Sequence, residues 1–164
     1  MGHRITLLCL VAGLLICSSA LAKNVTGRVS WVYDGDTIKV DGIGIIRLIG
    51  IDTPEKNDSP RDKYYLRQAR IKSDDLRKIA EQALQFNKQK LKNRIVILEF
   101  DRERIDTYGR TLAYVLLPDG QMLNLLLVQK GLAAVYRRFD FQHKQEFLQA
   151  EKSARSQHLG LWQK

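Results

Sequence analysis

The fold is decided by residues 25–51, which read VTGRVSWVYDGDTIKVDGIGIIRLIGI. Apolar and β-branched segments in this stretch are separated by Asp-Gly pairs at positions 34–35 and 41–42. An Asp-Gly pair between such segments is a strong hairpin signal, because both residues tolerate the backbone of a tight turn. We therefore predict three consecutive antiparallel strands, the third running through Ile51 and ending at Asp52.

The hydrophobic period changes after this stretch. Ser59, Pro60 and Asp62 are the residue types of a helix start, and we predict a helix from there to about Lys90. Its apolar residues recur at helical spacings on one face: Leu66, Ala69, Leu76, Ala80, Ala83 and Leu91. Ser73, which two aspartates follow, is also compatible with a break and a second helix start, and both interpretations stay open.

The rest of the chain adds two strands and two helices. RIVILEF (94–100) and TLAYVLL (111–117) read as strands four and five. QMLNLLLVQK (121–130) predicts a helix, and a last amphipathic helix extends from about Gln142 to His158. This layout predicts an α+β fold, a five-stranded OB-fold Greek-key β-barrel with about three α-helices packed against it. A two-layer α+β sheet with helices on one side is the alternative.

Residues 1–22 have the three-part layout of a secretory signal peptide. A polar start with Arg4 precedes the apolar run ITLLCLVAGLLIC, and SSALA follows before Lys23. The apolar run is shorter than the ~20 residues that a membrane-spanning helix needs. We expect cleavage after Ala22 and a periplasmic or secreted protein.

The mature chain, residues 23–164, has the length of a single domain. Cys9 and Cys17 both lie in the predicted leader, so the mature chain has no disulfide and is stabilised by packing and a possible metal. We expect a monomer without stable membrane association.

The chain is strongly basic, with 27 Lys or Arg against 18 Asp or Glu and a formal net charge of +9. Between Arg61 and Lys92, ten Lys or Arg stand against four Asp or Glu. A basic domain favours polyanionic partners, namely nucleic acid or an anionic membrane surface. The basic segment either forms an additional path for such a partner or is a solvated helix face.

Three short motifs combine acids and arginines: DGDT (34–37), RLIGIDTPE (47–55) and DTYGR (106–110). Asp36 begins predicted strand two and Asp52 ends strand three, so antiparallel pairing brings both carboxylates to one end of the sheet. Two carboxylates held together share a proton or a cation. The motifs contain neither His nor Cys, so we expect a hard cation, Ca2+ or Mg2+, with the Thr53 carbonyl as a further ligand.

The remaining charged residues of the motifs suit phosphodiester chemistry. Arg47 and Arg110 carry planar guanidiniums, which bind phosphate oxygens in pairs while a cation neutralises further charge. Glu55 is the candidate base that activates or orients water. The sequence therefore predicts a catalytic group of Arg47, Glu55 and Arg110 beside the metal site.

The order Asp-Gly-Asp-Thr, Arg-x-x-x-x-Asp-Thr-Pro-Glu and Asp-x-Tyr-Gly-Arg, followed by LAYV, GLA and GLW, resembles the staphylococcal nuclease (thermonuclease) family. The similarity extends from about Val25 to Trp162. It implies an OB-fold barrel and a Ca2+-dependent nuclease that cleaves DNA and RNA to products with 3′-phosphate ends. It also implies Ca2+ binding by the side chains of Asp36 and Asp52 and by the backbone carbonyl of Thr53.

The resemblance further implies substrate contacts, with departures from the family pattern. Tyr108 matches a position near the nucleotide phosphate, but Thr107 replaces the lysine that precedes this tyrosine in the type member. Where the type member has tyrosines of the nucleotide pocket, this chain reads YRRF. We predict substrate contacts from Tyr108, Tyr136, Arg137 and Phe139, since rings and guanidiniums suit unpaired bases and backbone. Packing roles for the YRRF aromatics are the alternative.

The segment between the second motif and strand four is longer than in the type member, and it contains the ten basic residues. If it forms a substrate path, reversing several of these charges weakens binding and flattens its salt dependence.

Two other classes of function are alternatives. Some domains of this family have lost the catalytic groups and only bind nucleic acid, but every motif residue is present here. The other class is an exported OB domain that binds oligosaccharide or protein, which has no need of the paired aspartates and arginines.

Overall fold

A computed structural model describes residues 24–163 of the chain. The predicted signal peptide, residues 1–22, and its two cysteines lie outside the described residues. In chain order the elements are β1 (Val25–Val32), β2 (Thr37–Val40), β3 (Gly44–Leu48), β4 (Ile51–Asp52), α1 (Asp62–Ala69), α2 (Ser73–Leu91), β5 (Ile95–Glu99), β6 (Thr111–Leu116), α3 (Leu123–Gln129), β7 (Ala134–Val135), α4 (Lys144–Ser156) and a 3-10 turn (Gly160–Trp162).

Five strands form a closed barrel in the order β1-β2-β3-β6-β5, and β5 pairs back with β1. Neighbouring strands of the barrel are antiparallel except β3 and β6, which run parallel. A parallel pair needs a long connection, and the chain between β3 and β6 contains β4, α1, α2 and β5. Closure pairs the strand edges with one another. The predicted five-stranded barrel and the α+β class are confirmed.

The hairpin of β2 and β3 determines where Arg47 points. A tight turn joins the two strands, with Gly42 at a φ of +74°. Side chains alternate between the two faces of a strand. The buried apolar residues of this hairpin are Ile38, Val40, Ile46 and Leu48. Because Arg47 lies between two of them, it projects from the opposite face, and it pairs with Thr37 at the start of β2.

The third strand is shorter than predicted. It ends at Leu48, and β4 forms a separate two-stranded sheet with β7. The break lies at Gly50, whose φ of +78° is in the left-handed region that favours glycine. A Cβ at Gly50 would lie 2.6 Å from the ring of Phe141, so the chain packs tightly here. The prediction that Asp52 ends strand three is therefore wrong: Asp52 lies on β4, after the chain has left the barrel sheet.

The long helix predicted up to Lys90 is two helices, which gives four helices within residues 24–163 rather than about three. The break lies at Arg70, with a φ of +53°, and the next residue, Ile71, is buried. α2 begins at Ser73, the second of the two starts that the sequence left open. Leu66 is 41% exposed, because the buried side of α1 lies elsewhere, so Leu66 does not share the buried face on which the sequence grouped it with the other apolar residues. The other residues of the predicted face are buried.

The helices cover the barrel and complete one core. α2 packs against β1, and α3 packs against both β6 and α4. Fully buried side chains come from barrel and helices alike, including Leu84, Leu98, Tyr114 and Phe147. None of the helices in the described part of the chain is both long and apolar enough to cross a membrane.

Candidate active site

The turn between β1 and β2 carries the first motif and is held from two sides. The backbone N–H of Asp36 donates to Asp34 Oδ1 at 2.9 Å. The buried side chain of Asn87, on α2, donates to the carbonyls of Asp34 at 3.2 Å and Gly35 at 2.9 Å. A Cβ at Gly35 would lie 2.7 Å from the side chain of Thr53, so the turn sits directly on that residue. These contacts fix the turn and direct Asp36 toward Thr53.

Asp36, Arg47, Asp52 and Thr53 form one contact group. The backbone N–H and the hydroxyl of Thr53 donate to Asp36 Oδ2 at 2.9 and 3.1 Å. Arg47 forms an ion pair with the other oxygen of Asp36 and a longer one, 3.4 Å, with Asp52 Oδ1. The structure thus brings these four sequence-predicted residues together, with Arg47 between the two carboxylates.

Helix α1 holds the second oxygen of Asp52. Arg61, just before α1, donates to Asp52 Oδ2 from Nη2 at 2.6 Å and from Nε at 3.2 Å. The hydroxyl of Tyr65, a fully buried residue, donates to the same oxygen at 2.6 Å. Two side chains of the longer segment therefore orient Asp52 so that its Oδ1 faces Arg47.

The centre of the site carries an excess of acid. Burial, and next the Asp36 charge, raise the pKa of Asp34 to about 6. Partial desolvation, together with the charges of Asp36 and Asp52, also raises the pKa of Glu55. Burial acts to lower the pKa of Arg47, but the carboxylates beside it raise the pKa overall, so the guanidinium stays charged. Neighbouring carboxylates thus help to raise the pKa values of Asp34 and Glu55, and such a group of acids attracts a cation.

We call the carboxylates around Arg47 the acid centre, and the oxygen ligands available there suit a hard divalent cation. Asp36 and Asp52 offer carboxylate oxygens, and Thr53 offers a backbone carbonyl. Among residues 24–163, no group of three or more His, Cys, Asp or Glu side chains is drawn together as a metal-binding cluster. A cation held by two carboxylates and a carbonyl would complete its shell with water, as hard cations commonly do.

A cavity of about 470 Å³ opens beside the acid centre, and Arg47 and Asp52 lie in its lining. The loop between β5 and β6 supplies Tyr108 and Arg110. Arg110 Nε donates to Asp106 Oδ2 at 2.7 Å, and Asp106 Oδ1 accepts the backbone N–H groups of Tyr108 and Arg110 at 2.9 Å. Asp106 therefore shapes the loop and holds the Arg110 guanidinium at the cavity.

The segment after β7 lines another part of the same cavity. The rings of Tyr136 and Phe139 have centroids 5.1 Å apart, and Arg138 lies between them in sequence. Arg137 does not line this cavity; it forms an ion pair with the buried Glu151 and faces a neighbouring groove.

Glu55 occupies the exposed loop after Pro54, at the edge of the acid centre and outside the lining of the cavity. Asp36 and Asp52 are near enough to raise its pKa. The structure thus places Glu55 near the two predicted metal ligands, on the solvent side.

Several residues of the site were not predicted from the sequence. Asp34 and Asp106 lie inside the quoted motifs, so their neighbours could have indicated them. Arg138 was recognised only as part of YRRF. Arg61 and Tyr65 had no local signal, because their contact with Asp52 depends on how α1 folds back.

Comparison with known proteins identifies the family of the chain. Residues 45–164 match the family described as staphylococcal nuclease homologue. The chain is 39% identical to a thermonuclease of Staphylococcus intermedius over 153 residues, which cover 90% of this chain and 82% of the relative. It is 37% identical to a thermonuclease of Staphylococcus hyicus over 147 residues, 86% of this chain and 78% of that protein. An uncharacterized endonuclease of Escherichia coli is 33% identical over 145 residues, 87% of this chain and 80% of that protein.

Proposed function

Because the chain belongs to the family of staphylococcal nuclease homologues, we propose that it is a Ca2+-dependent endonuclease that hydrolyses DNA and RNA to products with 3′-phosphate ends. The observation that carries the proposal is a single cavity that joins Arg47 and Arg110 to Asp52 of the acid centre. Such a cavity offers a phosphodiester two guanidiniums and a place for a cation.

The two arginines bind the phosphate that is cleaved. Charge grows on the phosphate oxygens as the diester is attacked, and donors that are already in position stabilise it without reorganising. Asp106 binds the Nε and one terminal nitrogen of Arg110. The remaining N–H groups of the Arg110 guanidinium donate to the substrate. Arg47 exchanges its 3.4 Å contact with Asp52 for a phosphate oxygen.

The metal site consists of the Asp36 and Asp52 carboxylates and the Thr53 carbonyl, and it takes Ca2+, with Mg2+ as the alternative. When bound, such a cation neutralises charge on a phosphate oxygen. Arg61 and Tyr65 keep Asp52 in its orientation through Oδ2, which leaves Oδ1 on the side of the phosphate.

Glu55 is the base that accepts a proton from the attacking water. Its raised pKa makes it a stronger proton acceptor than an ordinary carboxylate, and its exposed position gives it access to water. Tyr108, Tyr136 and Phe139 contact the nucleotides on either side of the phosphate, and Arg137 contacts the strand farther along.

We also propose that the protein is exported, that residues 1–22 are removed, and that it acts in the periplasm or outside the cell. The three-part layout of the leader supports export. We further propose a monomer without stable membrane association, and the pairing of the five barrel strands with one another supports the monomer.

The test is cleavage of single-stranded DNA, double-stranded DNA and RNA by residues 23–164, with Ca2+, with Mg2+ and with chelator, followed by analysis of product ends. We expect cleavage with Ca2+, none with chelator, and 3′-phosphate ends. Binding without cleavage under every condition would show a non-catalytic nucleic-acid-binding module instead. Cleavage that chelator leaves unchanged would refute the metal site.

A further inference from the structure

A second cavity of about 470 Å³ lies between α1 and the segment after β7. It shares Arg61, Tyr136 and Arg138 with the cavity of the candidate active site, so the two adjoin. We name it the α1 groove. Its charged lining residues are Arg61, Lys63, Arg67, Arg137 and Arg138, and its lining includes no acid. The α1 groove is a positively charged extension of the candidate active site.

Three of these cations have no acidic partner in the described part of the chain. Lys63, Arg67 and Arg138 are exposed and form no salt bridge within residues 24–163. The other two, Arg61 and Arg137, are paired with acids. Unpaired cations that face one groove repel each other, and a polyanion in the groove removes that repulsion and releases its own counterions.

Two aromatic residues, Tyr64 and Tyr136, also line the α1 groove. The Arg61 guanidinium lies 5.1 Å from the ring centre of Tyr64 and 5.4 Å from that of Tyr136. A single strand of nucleic acid uses both features, because its phosphates bind the cations while its bases stack on rings. A folded acidic protein would use the charges but would have no need of the aromatic residues.

The dimensions suit a short length of strand. From Arg61 to Arg67 the chain advances by six residues, which is about 9 Å along a helix. This distance admits about one or two phosphates beyond the one in the active site, at the several-ångström spacing of a single strand.

We propose that the α1 groove binds the sugar-phosphate backbone of the substrate strand one or two nucleotides from the cleaved bond. This proposal rests on the proposed nuclease function, since it extends the same site. It also divides the basic segment 61–92 into two parts. The exposed Lys88 of α2 and Lys92, which directly follows α2, line a different cavity, beside Trp31, and take no part in the path.

The test compares two variants with the same change of charge, K63E/R67E in the α1 groove and K88E/K92E at the C-terminal end of α2. Each is measured with a 12-nucleotide single strand and with a dinucleotide that contains one phosphodiester. For K63E/R67E we expect KM for the 12-mer to rise about tenfold or more, with kcat retained and the salt slope of binding reduced by about two. Its dinucleotide kinetics stay those of the wild type, because the dinucleotide does not reach the groove.

The outcomes separate this proposal from the proposed function. Equal KM values of the two variants for the 12-mer would overturn the proposal. A rise in the KM of K63E/R67E for the dinucleotide that is as large as its rise for the 12-mer would also overturn it. If the wild type cleaves nothing, the nuclease function fails, and anisotropy of a labelled 12-mer still tests the groove. Weaker binding by K63E/R67E than by K88E/K92E then supports it, and equal binding overturns it.

Discussion

Asp34 is a carboxylate in unfavourable surroundings, because burial and the charge of Asp36 raise its pKa from 3.8 to about 6. An acid whose pKa is raised by folding destabilises the fold when it ionises. This destabilisation is complete above the folded pKa and disappears as the pH falls toward the unfolded value, so Asp34 weakens the fold at neutral pH and not near pH 4.

Replacing Asp34 with Asn tests whether ionisation of Asp34 destabilises the fold. Asn keeps the oxygen that accepts the N–H of Asp36 and removes the charge. We expect Asp34→Asn to raise the free energy of unfolding by about 1–2 kcal/mol at pH 8 in chelator, and by much less at pH 4. Urea unfolding at both pH values measures it, with Asp58→Asn, whose side chain is 97% exposed, as the control. A gain of the same size at both pH values would contradict the assignment.

The turn at Gly50 is the local structure that carries Asp52 out of the barrel sheet and onto β4. The chain offers a matched comparison, since Gly42 and Gly50 have φ values of +74° and +78°. A Cβ at Gly42 meets nothing within 4 Å, whereas a Cβ at Gly50 lies 2.6 Å from the ring of Phe141. The two glycines therefore share the backbone requirement and differ in the space around them.

Alanine at each position separates backbone strain from packing. We expect Gly42→Ala to lower the free energy of unfolding by about 1 kcal/mol, and Gly50→Ala by about 2–4 kcal/mol because overpacking is added. Gly50→Ala should also slow cleavage, because the turn positions Asp52. Denaturant unfolding and a nuclease assay measure both effects. Equal losses of stability for the two variants would show that Phe141 moves aside freely.

These elements show which parts of the fold local sequence can predict. The hairpins of β1 to β3 were predictable, because Asp-Gly turns and alternating side chains act over a few residues. The end of β3 was not, because Gly50 lies in an apolar run and its turn depends on β7 and Phe141, far along the chain. The break between the two helices was predictable in part, because Ser73 marked the second start, whereas the left-handed Arg70 that ends α1 is not a residue type that signals a helix end.

At the scale of the whole molecule, Asn124 links α3 to the parallel strand pair of β3 and β6. This fully buried side chain accepts the N–H of Val115 at 3.0 Å and donates to the carbonyl of Ile49 at 2.9 Å. Asn124→Ala leaves a buried donor and a buried acceptor without partners. We expect a loss of about 3 kcal/mol in the free energy of unfolding, measured by urea titration. A loss below about 1 kcal/mol would mean that the pairing of β3 with β6 does not depend on Asn124.

The candidate site was predictable where the fold brings neighbouring motifs together. The hairpin model placed Asp36 and Asp52 at one end of the sheet with Thr53 beside them, although Asp52 reaches that position from β4 and not from the end of β3. Arg61 and Tyr65 were not predictable, because they reach Asp52 from an added helix whose position no short motif encodes. The same helix builds the α1 groove, so the sequence indicated a basic segment without showing which of its residues face the site.

The most direct test of the account is cleavage by Glu55→Gln and Arg110→Ala, compared with binding of the same labelled single strand. Glu146→Gln, on the first turn of α4, is the control. We predict that Glu55→Gln and Arg110→Ala lower the rate of cleavage with Ca2+ by about 10²–10⁴-fold, while Glu55→Gln binds the strand as the wild type does. Cleavage at the rate of the wild type by Arg110→Ala would contradict the assignment of the cavity lined by Arg47, Asp52 and Arg110 as the active site. The same result for Glu55→Gln would exclude Glu55 as the base.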